Sequence, residues 1–444
     1  MDQKKLYKPS TSRYSTQIRA EYIKNLRNIV LNDVASKLAR LPRDRDSEKA
    51  IDGIILSAID TADTEEMQKA DRQKLLKELK EEIYGYGPIQ RLVEDKDLNE
   101  IIVRGPEHVE VEYKGEILDT DVHFDDEQHL RKVIDRIAAE SNRHIDDANP
   151  MLDCKLRDGS RINAVIQPIA IDGSCLTIRK FSANPLKMEN LLEYQSLNEP
   201  MAAFLEAAVG WGRLNVLVSG GTGSGKTTLL NVLSSCIPSH EEIITIEDAA
   251  ELKLGQPRVR RMEARPANIE GRGEITIRGL VKNALRMRPD RIIVGEVRGG
   301  ESLDMLQAMN TGHDGSLTTI HANSPRDALS RVETTTLMSG MQLPVAAIRQ
   351  QCAGAFDLIV HTERLRDGSR KIMSITEVGQ MVGELIQLQE VFRFVHDGET
   401  RDPDTGKKTV LGHFEATGVN PICCRKMQDN GAIVDQDWFR VGLR

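Results

Sequence analysis

Residues 216–233 read VLVSGGTGSGKTTLLNVL: an apolar run stops at a cluster of four glycines, and an apolar pattern at helical spacing begins beyond it. A strand that turns sharply into a helix satisfies this pattern, because glycine accepts the positive φ angles that let several backbone N–H groups converge on one point. Segment 220–227 matches G-x-x-x-x-G-K-[ST] at every fixed position. Gly220, Gly221, Thr222, Gly223, Ser224 and Gly225 make the loop, and Lys226, Thr227 and Thr228 open the helix. Converging N–H groups and the positive end of the helix dipole form an anion site. In that chemistry Lys226 serves the β and γ phosphates and the Thr227 hydroxyl is a magnesium ligand, so ATP and Mg2+ are the expected cofactors.

The rest of the chain sets this loop in an α/β fold. From about residue 200, LNVLVSG, EIITIED, RIIVGEV, GSLTTIHA and DLIVHT alternate with helical stretches. Near-continuous Val and Ile runs between helices predict a buried parallel sheet. Asp367-Gly368 and Asp397-Gly398 predict hairpins that extend it, so 200–444 reads as one ATPase domain. Residues 89–183 read as an α+β domain. There, NEIIVRG and HVEVEYKGEIL form strands with Lys114-Gly115 at a hairpin tip, and a helix follows from about Asp126 to Asn142. Then come a hairpin around Asp158-Gly159 and the strand CLTIRKF. Apolar residues at helical spacing predict a bundle of about three helices over 16–88, broken by YGYGPI; residues 1–15 read as a flexible tail and 184–199 as a linker with a short helix.

Composition limits the alternatives. A chain of 444 residues exceeds the roughly 250 to 300 that one core supports, so several domains are expected. With 39% hydrophobic residues, no apolar run of membrane-spanning length and no apolar signal core at the N-terminus, a cytoplasmic protein is expected. The six cysteines form no C-x-x-C pair, so free thiols are expected and no zinc site. A net charge of −8 argues against a coat for nucleic acid.

Hydrolysis needs more than a phosphate loop. In RPDRIIVGEVR an apolar strand ends at Glu296, the candidate general base. TIEDAAE places Glu247, Asp248 and Glu251 at the end of another strand, where ligands of open α/β sheets bind. Two readings of Asp248 stand side by side: ordering magnesium-bound water, or capping a helix. In TGHDGSLTTIHA, His313 and His321 bracket a strand and are candidate γ-phosphate sensors.

Taken in order, GGTGSGKTT, TIEDAAE, RIIVGEVRG and TGHDGSLTTIHA resemble the four motifs of the secretion-superfamily ATPases of type II secretion, type IV pili and type IV secretion. The resemblance covers roughly residues 90–365. LRDGSRINAVIQP, LTIRKF and NALRMRPDRIIVGEVRG resemble the Tad/Flp pilus branch, the CpaF/TadA group. It implies a homohexameric ring, each subunit joining a PAS-like domain to a RecA-like P-loop motor domain, peripheral at the inner face of the cytoplasmic membrane. Partners would be polytopic TadB/TadC-like platform proteins that assemble a pilus; retraction by the same enzyme is a further hypothesis. Arg161 and Arg179 match family arginines that reach the phosphates; the plainer reading pairs them with acids such as Asp158. A type IV secretion ATPase is the nearest alternative. A DNA-binding RecA-type protein is more remote, because the Arg-rich stretch 258–298 holds no Phe, Tyr or Trp to stack bases.

Overall fold

The structure is a computed structural model that describes residues 22–442, apart from 24, 32, 35–47, 64–66, 114, 157, 182–184, 268–271 and 402–407. The expected N-terminal tail, the tip residue Lys114 and the first residue of the expected linker lie outside the described residues. The chain divides into two compact units, Met1–Ser182 and Ala183–Arg444.

In the first unit, Leu26, Val30 and Val34 are buried on a helical stretch and meet Ile51, Ile55 and Ile59 of α1 (Glu48–Ala62) and Leu75 and Leu79 of α2 (Lys69–Tyr84). A short helix, α3 (Gln90–Glu94), leads into strands β1 (Leu98–Arg104), β2 (Val109–Tyr113) and β3 (Glu116–Asp119). Then come α4 (Glu127–Glu140), β4 (Met151–Lys155), β5 (Arg161–Val165) and β6 (Cys175–Arg179). The strands form one antiparallel sheet in the order β3-β2-β1-β6-β5-β4. Helix α4 starts where the Asp126 side chain accepts the His129 N–H at 2.8 Å. Its Leu130, Val133, Ile134, Ile137 and Ala138 repeat at the spacing of one helical face and share a core with Ile101, Ile162, Ala164 and Ile178 of the sheet. Alternation along the strands leaves the opposite face to polar side chains.

The second unit opens with α5 (Met188–Glu193) and α6 (Glu199–Val209), followed by β7 (Val216–Gly220), α7 (Lys226–Ser235), β8 (Ile243–Glu247) and β9 (Val259–Glu263). It continues through α8 (Ile277–Ala284), β10 (Arg291–Val294), α9 (Glu301–Asn310), β11 (Leu317–His321), α10 (Pro325–Leu337) and α11 (Val345–Ala355). Strands β12 (Leu358–Arg364), β13 (Arg370–Val382), β14 (Leu385–Arg401) and β15 (Lys408–Ala416) precede α12 (Cys423–Asp429). The sheet order is β15-β14-β13-β12-β7-β11-β10-β8-β9. Strands β12, β7, β11, β10, β8 and β9 run parallel, and β13 to β15 add an antiparallel ribbon. Every residue of β7, β8 and β10 is buried, which is why their sequences are predominantly apolar, with few polar interruptions.

One expectation is corrected here. Asp397-Gly398 is no hairpin: β14 runs through it, and the register against β15 shifts between His396 and Gly398, a bulge that a glycine at φ 144° accommodates. The β13–β14 reversal falls instead at Gly383, whose φ is 61°. Four arginines of 258–298 make contacts inside the second unit. Arg258 donates to the His240 carbonyl, Arg260 pairs with Glu242 at 2.7 Å, Arg278 with Asp304 at 2.7 Å, and Arg291 is fully buried against Glu241. Each is used inside the fold.

Candidate functional site

Strand β7 ends at Gly220, where a Cβ would run into the Thr362 carbonyl oxygen of the neighbouring β12. Glycine is required at this close approach. Gly223 and Gly225 take φ values of 70° and 93°, and α7 begins at Lys226. Ser224 is buried and its hydroxyl donates to the Gly221 carbonyl at 2.9 Å; Thr222 and Thr228 are exposed and Thr227 is half-buried. The Lys226 amine donates to the same Gly221 carbonyl at 2.9 Å. Burial lowers the pKa of this amine, the negative charge of Glu296 opposes that shift, and Arg298 reinforces it. Lys226 and Glu296 lie just beyond the C-terminal ends of β7 and β10, parallel strands that flank β11.

Neighbouring strands deliver the other candidates. His321 ends β11 with its Cα in register with Gly220, beside the start of the loop. His313 precedes β11, and its Nδ1 lies 3.2 Å from the Ala308 carbonyl. It sits at the other end of a five-residue strand, on the order of 13 Å away. Bracketing a strand is what separates the two histidines; within one chain only His321 adjoins the phosphate loop.

Glu247 ends β8 almost wholly buried. Its Oε2 accepts the N–H groups of Glu251 at 2.7 Å and Leu252 at 2.9 Å, while Oε1 is buried with no hydrogen-bond partner among the described residues. Burial raises its pKa against the pull of those two N–H groups. A Cβ at Gly295 would meet the Glu247 Cγ at 3.0 Å, so glycine at that position lets the two acidic strand ends lie together. Thr319 donates to the Gly295 carbonyl at 2.7 Å and holds the exit of β10 in place.

Glu296 follows two residues beyond β10, and its Oε2 accepts from Arg298 Nε at 2.9 Å and Nη2 at 2.6 Å. Arg298 Nη1 also lies 3.6 Å from Asp248. Asp248 is exposed, and among the described residues no helix begins after β8 until α8, which removes the capping alternative. Sequence reasoning passed over Arg298 as a site residue, although a base two residues after an acid in extended chain faces the same side.

Arg161 and Arg179 belong to the first unit, where they are direct cross-strand partners, with Lys155 beside Arg161 and Glu100 beside Arg179. Like charges opposite one another repel. The Asp158 carboxylate is taken up by the Ser160 N–H and hydroxyl, both at 2.9 Å. Burial raises the Glu100 pKa and the charge of Arg179 opposes the rise.

These groups fit a magnesium nucleotide: a glycine loop with positive φ angles, a lysine at a helix start, the Thr227 hydroxyl, and a buried carboxylate oxygen without a partner. Residues 82–377 match the family model described as type II/IV secretion system protein. A putative conjugal transfer protein of Mycobacterium tuberculosis is 37% identical over 316 residues, 70% of this chain and 89% of its own length. The type IV secretion system protein VirB11 of Bartonella quintana is 33% identical, covering 65% of this chain and 90% of that one. Among solved structures, the VirB11 ATPase of the Brucella suis type IV secretion system, in complex with sulphate, is 30% identical over 65% of this chain and 92% of that chain, with a TM-score of 0.36. The chain belongs to the type II/IV secretion system protein family. Among the described residues, no helix is long and apolar enough to cross a membrane.

Proposed function

We propose that this protein is a magnesium-dependent ATPase that works as a homohexameric ring, peripheral to the cytoplasmic membrane, and drives assembly of a Tad-type pilus through polytopic platform proteins. The observation that carries the hydrolytic part is the placement of Lys226 and Glu296 just beyond the C-terminal ends of β7 and β10, parallel strands that flank β11. Bound magnesium-ATP supplies the phosphoanhydride bond and a cation that withdraws charge from it. The loop N–H groups bind and orient. Glu296 takes the proton of the attacking water, which requires its carboxylate to turn from the Arg298 fork or to use Oε1. His321 stands beside Gly220 to report on the terminal phosphate. Lys155, Arg161 and Arg179 form a cationic row on one face of the first sheet, the chemistry a polyphosphate selects, and in this reading Arg161 and Arg179 bind phosphate oxygens.

The pilus reading is supported by the phrases LRDGSRINAVIQP and NALRMRPDRIIVGEVRG. A type IV secretion role is the second reading, favoured by similarity to VirB11 of Bartonella quintana. Identifying the membrane proteins that co-purify with an ATP-loaded Glu296→Gln variant separates them: pilus platform proteins support the first, secretion-channel proteins the second.

Lys226→Ala is expected to weaken binding of a fluorescent ATP analogue by at least tenfold; unchanged affinity would remove the loop from its role. Arg161→Ala or Arg179→Ala is expected to lower turnover and abolish the nucleotide-dependent change in solution scattering. A normal change would exclude these arginines from sensing the nucleotide.

A further inference from the structure

The Asp367-Gly368 turn was read from sequence as a mere extension of the sheet, yet the strands it joins grip the phosphate loop. A loop that presents its N–H groups to an anion must keep its carbonyls turned outward. Each flipped peptide would aim a carbonyl oxygen at the phosphates instead. With Gly221, Gly223 and Gly225 in the loop, such flips cost little backbone strain. Outward carbonyls therefore need partners, and three of them have one. Gly221 O is held by Ser224 and Lys226 from within the loop. The other two are held by the β12–β13 hairpin: the Thr362 hydroxyl reaches Ser224 O at 3.0 Å, sharing its proton with Lys371 O at 3.1 Å, and Arg370 Nε donates to Gly223 O at 3.0 Å.

The hairpin is itself fixed on both sides. Asp367 accepts the Ser369 N–H at 2.9 Å and the Val410 N–H of β15 at 2.9 Å. Lys371 Nζ donates to Gln195 O at 2.6 Å. At the root, His361 Nδ1 lies 2.9 Å from the Ser219 hydroxyl at the end of β7.

We propose that the β12–β13 hairpin is a brace that sets the phosphate loop in its anion-binding form before nucleotide arrives, with Arg370 as the positioning residue at the apex and Thr362 as the second tie. This rests on the reading of residues 220–227 as a nucleotide site. The brace acts through the hydrogen bond from Nε, not through charge on the ligand. Glutamine distinguishes the two, because its Nε2 sits at the same position along the side chain as the arginine Nε and carries no charge.

The test is direct titration of the full chain with MgADP, with thermal unfolding of the nucleotide-free protein as the check on folding. Arg370→Ala is expected to raise Kd about fivefold to tenfold, Arg370→Gln less than threefold, and Thr362→Val severalfold. In steady-state assays Arg370→Ala raises KM for ATP by a larger factor than it lowers kcat. Arg370→Ala binding as wild type would overturn the brace, as would Gln failing as badly as Ala while Arg370→Lys binds normally, since that pattern marks a charge contact with the ligand. If Arg370→Ala does not fold, the Gln, Lys and Thr362→Val results decide alone. Wild-type protein that binds no MgADP would defeat the nucleotide-site reading instead, so the two failures are distinct.

Discussion

Glu296→Gln is expected to bind magnesium-ATP within about twofold of wild type and to lose roughly 100-fold to 10,000-fold in turnover, the range of a positioned general base. Glutamine keeps the volume of the side chain and can still accept from Arg298 through its amide oxygen, so the exit of β10 should hold its shape. It cannot take a proton from water. The neighbouring acid provides a contrast. Glu247 commits Oε2 to the N–H groups of Glu251 and Leu252, so its replacement by glutamine alters the turn after β8 as well as the charge. The measurement is release of inorganic phosphate beside equilibrium binding of the nucleotide. Wild-type phosphate release by Glu296→Gln would remove this residue from the base role and leave the buried Glu247 as the better candidate.

What could be read from sequence and what could not follow a physical division. Strands β7, β8, β10, β11 and β12 were visible because burial on both faces demands apolar runs. Strand β9 was not: it is the sheet edge, reads VRRME, and carries the charged residues that keep an edge from pairing further. The phosphate loop was legible because its function is written in eight consecutive residues. Arg370 was not, since it meets Gly223 across 147 positions. His313 lies at the opposite end of β11 from the loop, because sequence proximity to a strand says nothing about which end of that strand a residue joins. Asp248 was ambiguous until the chain beyond β8 proved non-helical.

Gly315→Ala should be the most damaging single methyl group in the second unit, on the order of 4 kcal/mol and a fall in Tm of about 10 °C. Arg291 opens β10 with its side chain fully buried. Its donors go to Glu241 at 2.5 and 3.1 Å, and to the carbonyls of Val209 at 3.0 Å, Gly210 at 2.7 Å and Gly315 at 3.2 Å. A Cβ on residue 315 would overlap the guanidinium, and φ there is 81°, which alanine adopts only under strain. Displacing the guanidinium breaks a buried ion pair and strands Glu241, which Arg213 at 3.3 Å compensates only in part. A double-mutant cycle isolates this cause: Arg291→Met should cost several kcal/mol alone, yet Gly315→Ala added to it should cost only its backbone strain, about 1 to 2 kcal/mol. Full additivity, or a Gly315→Ala protein melting within about 2 °C of wild type, would show that the overlap is relieved by a small shift. The buried charge also bears on the site. By fixing the start of β10 to five oxygens, it sets the depth at which a four-residue strand emerges, and so positions Glu296 two residues beyond its C-terminal end.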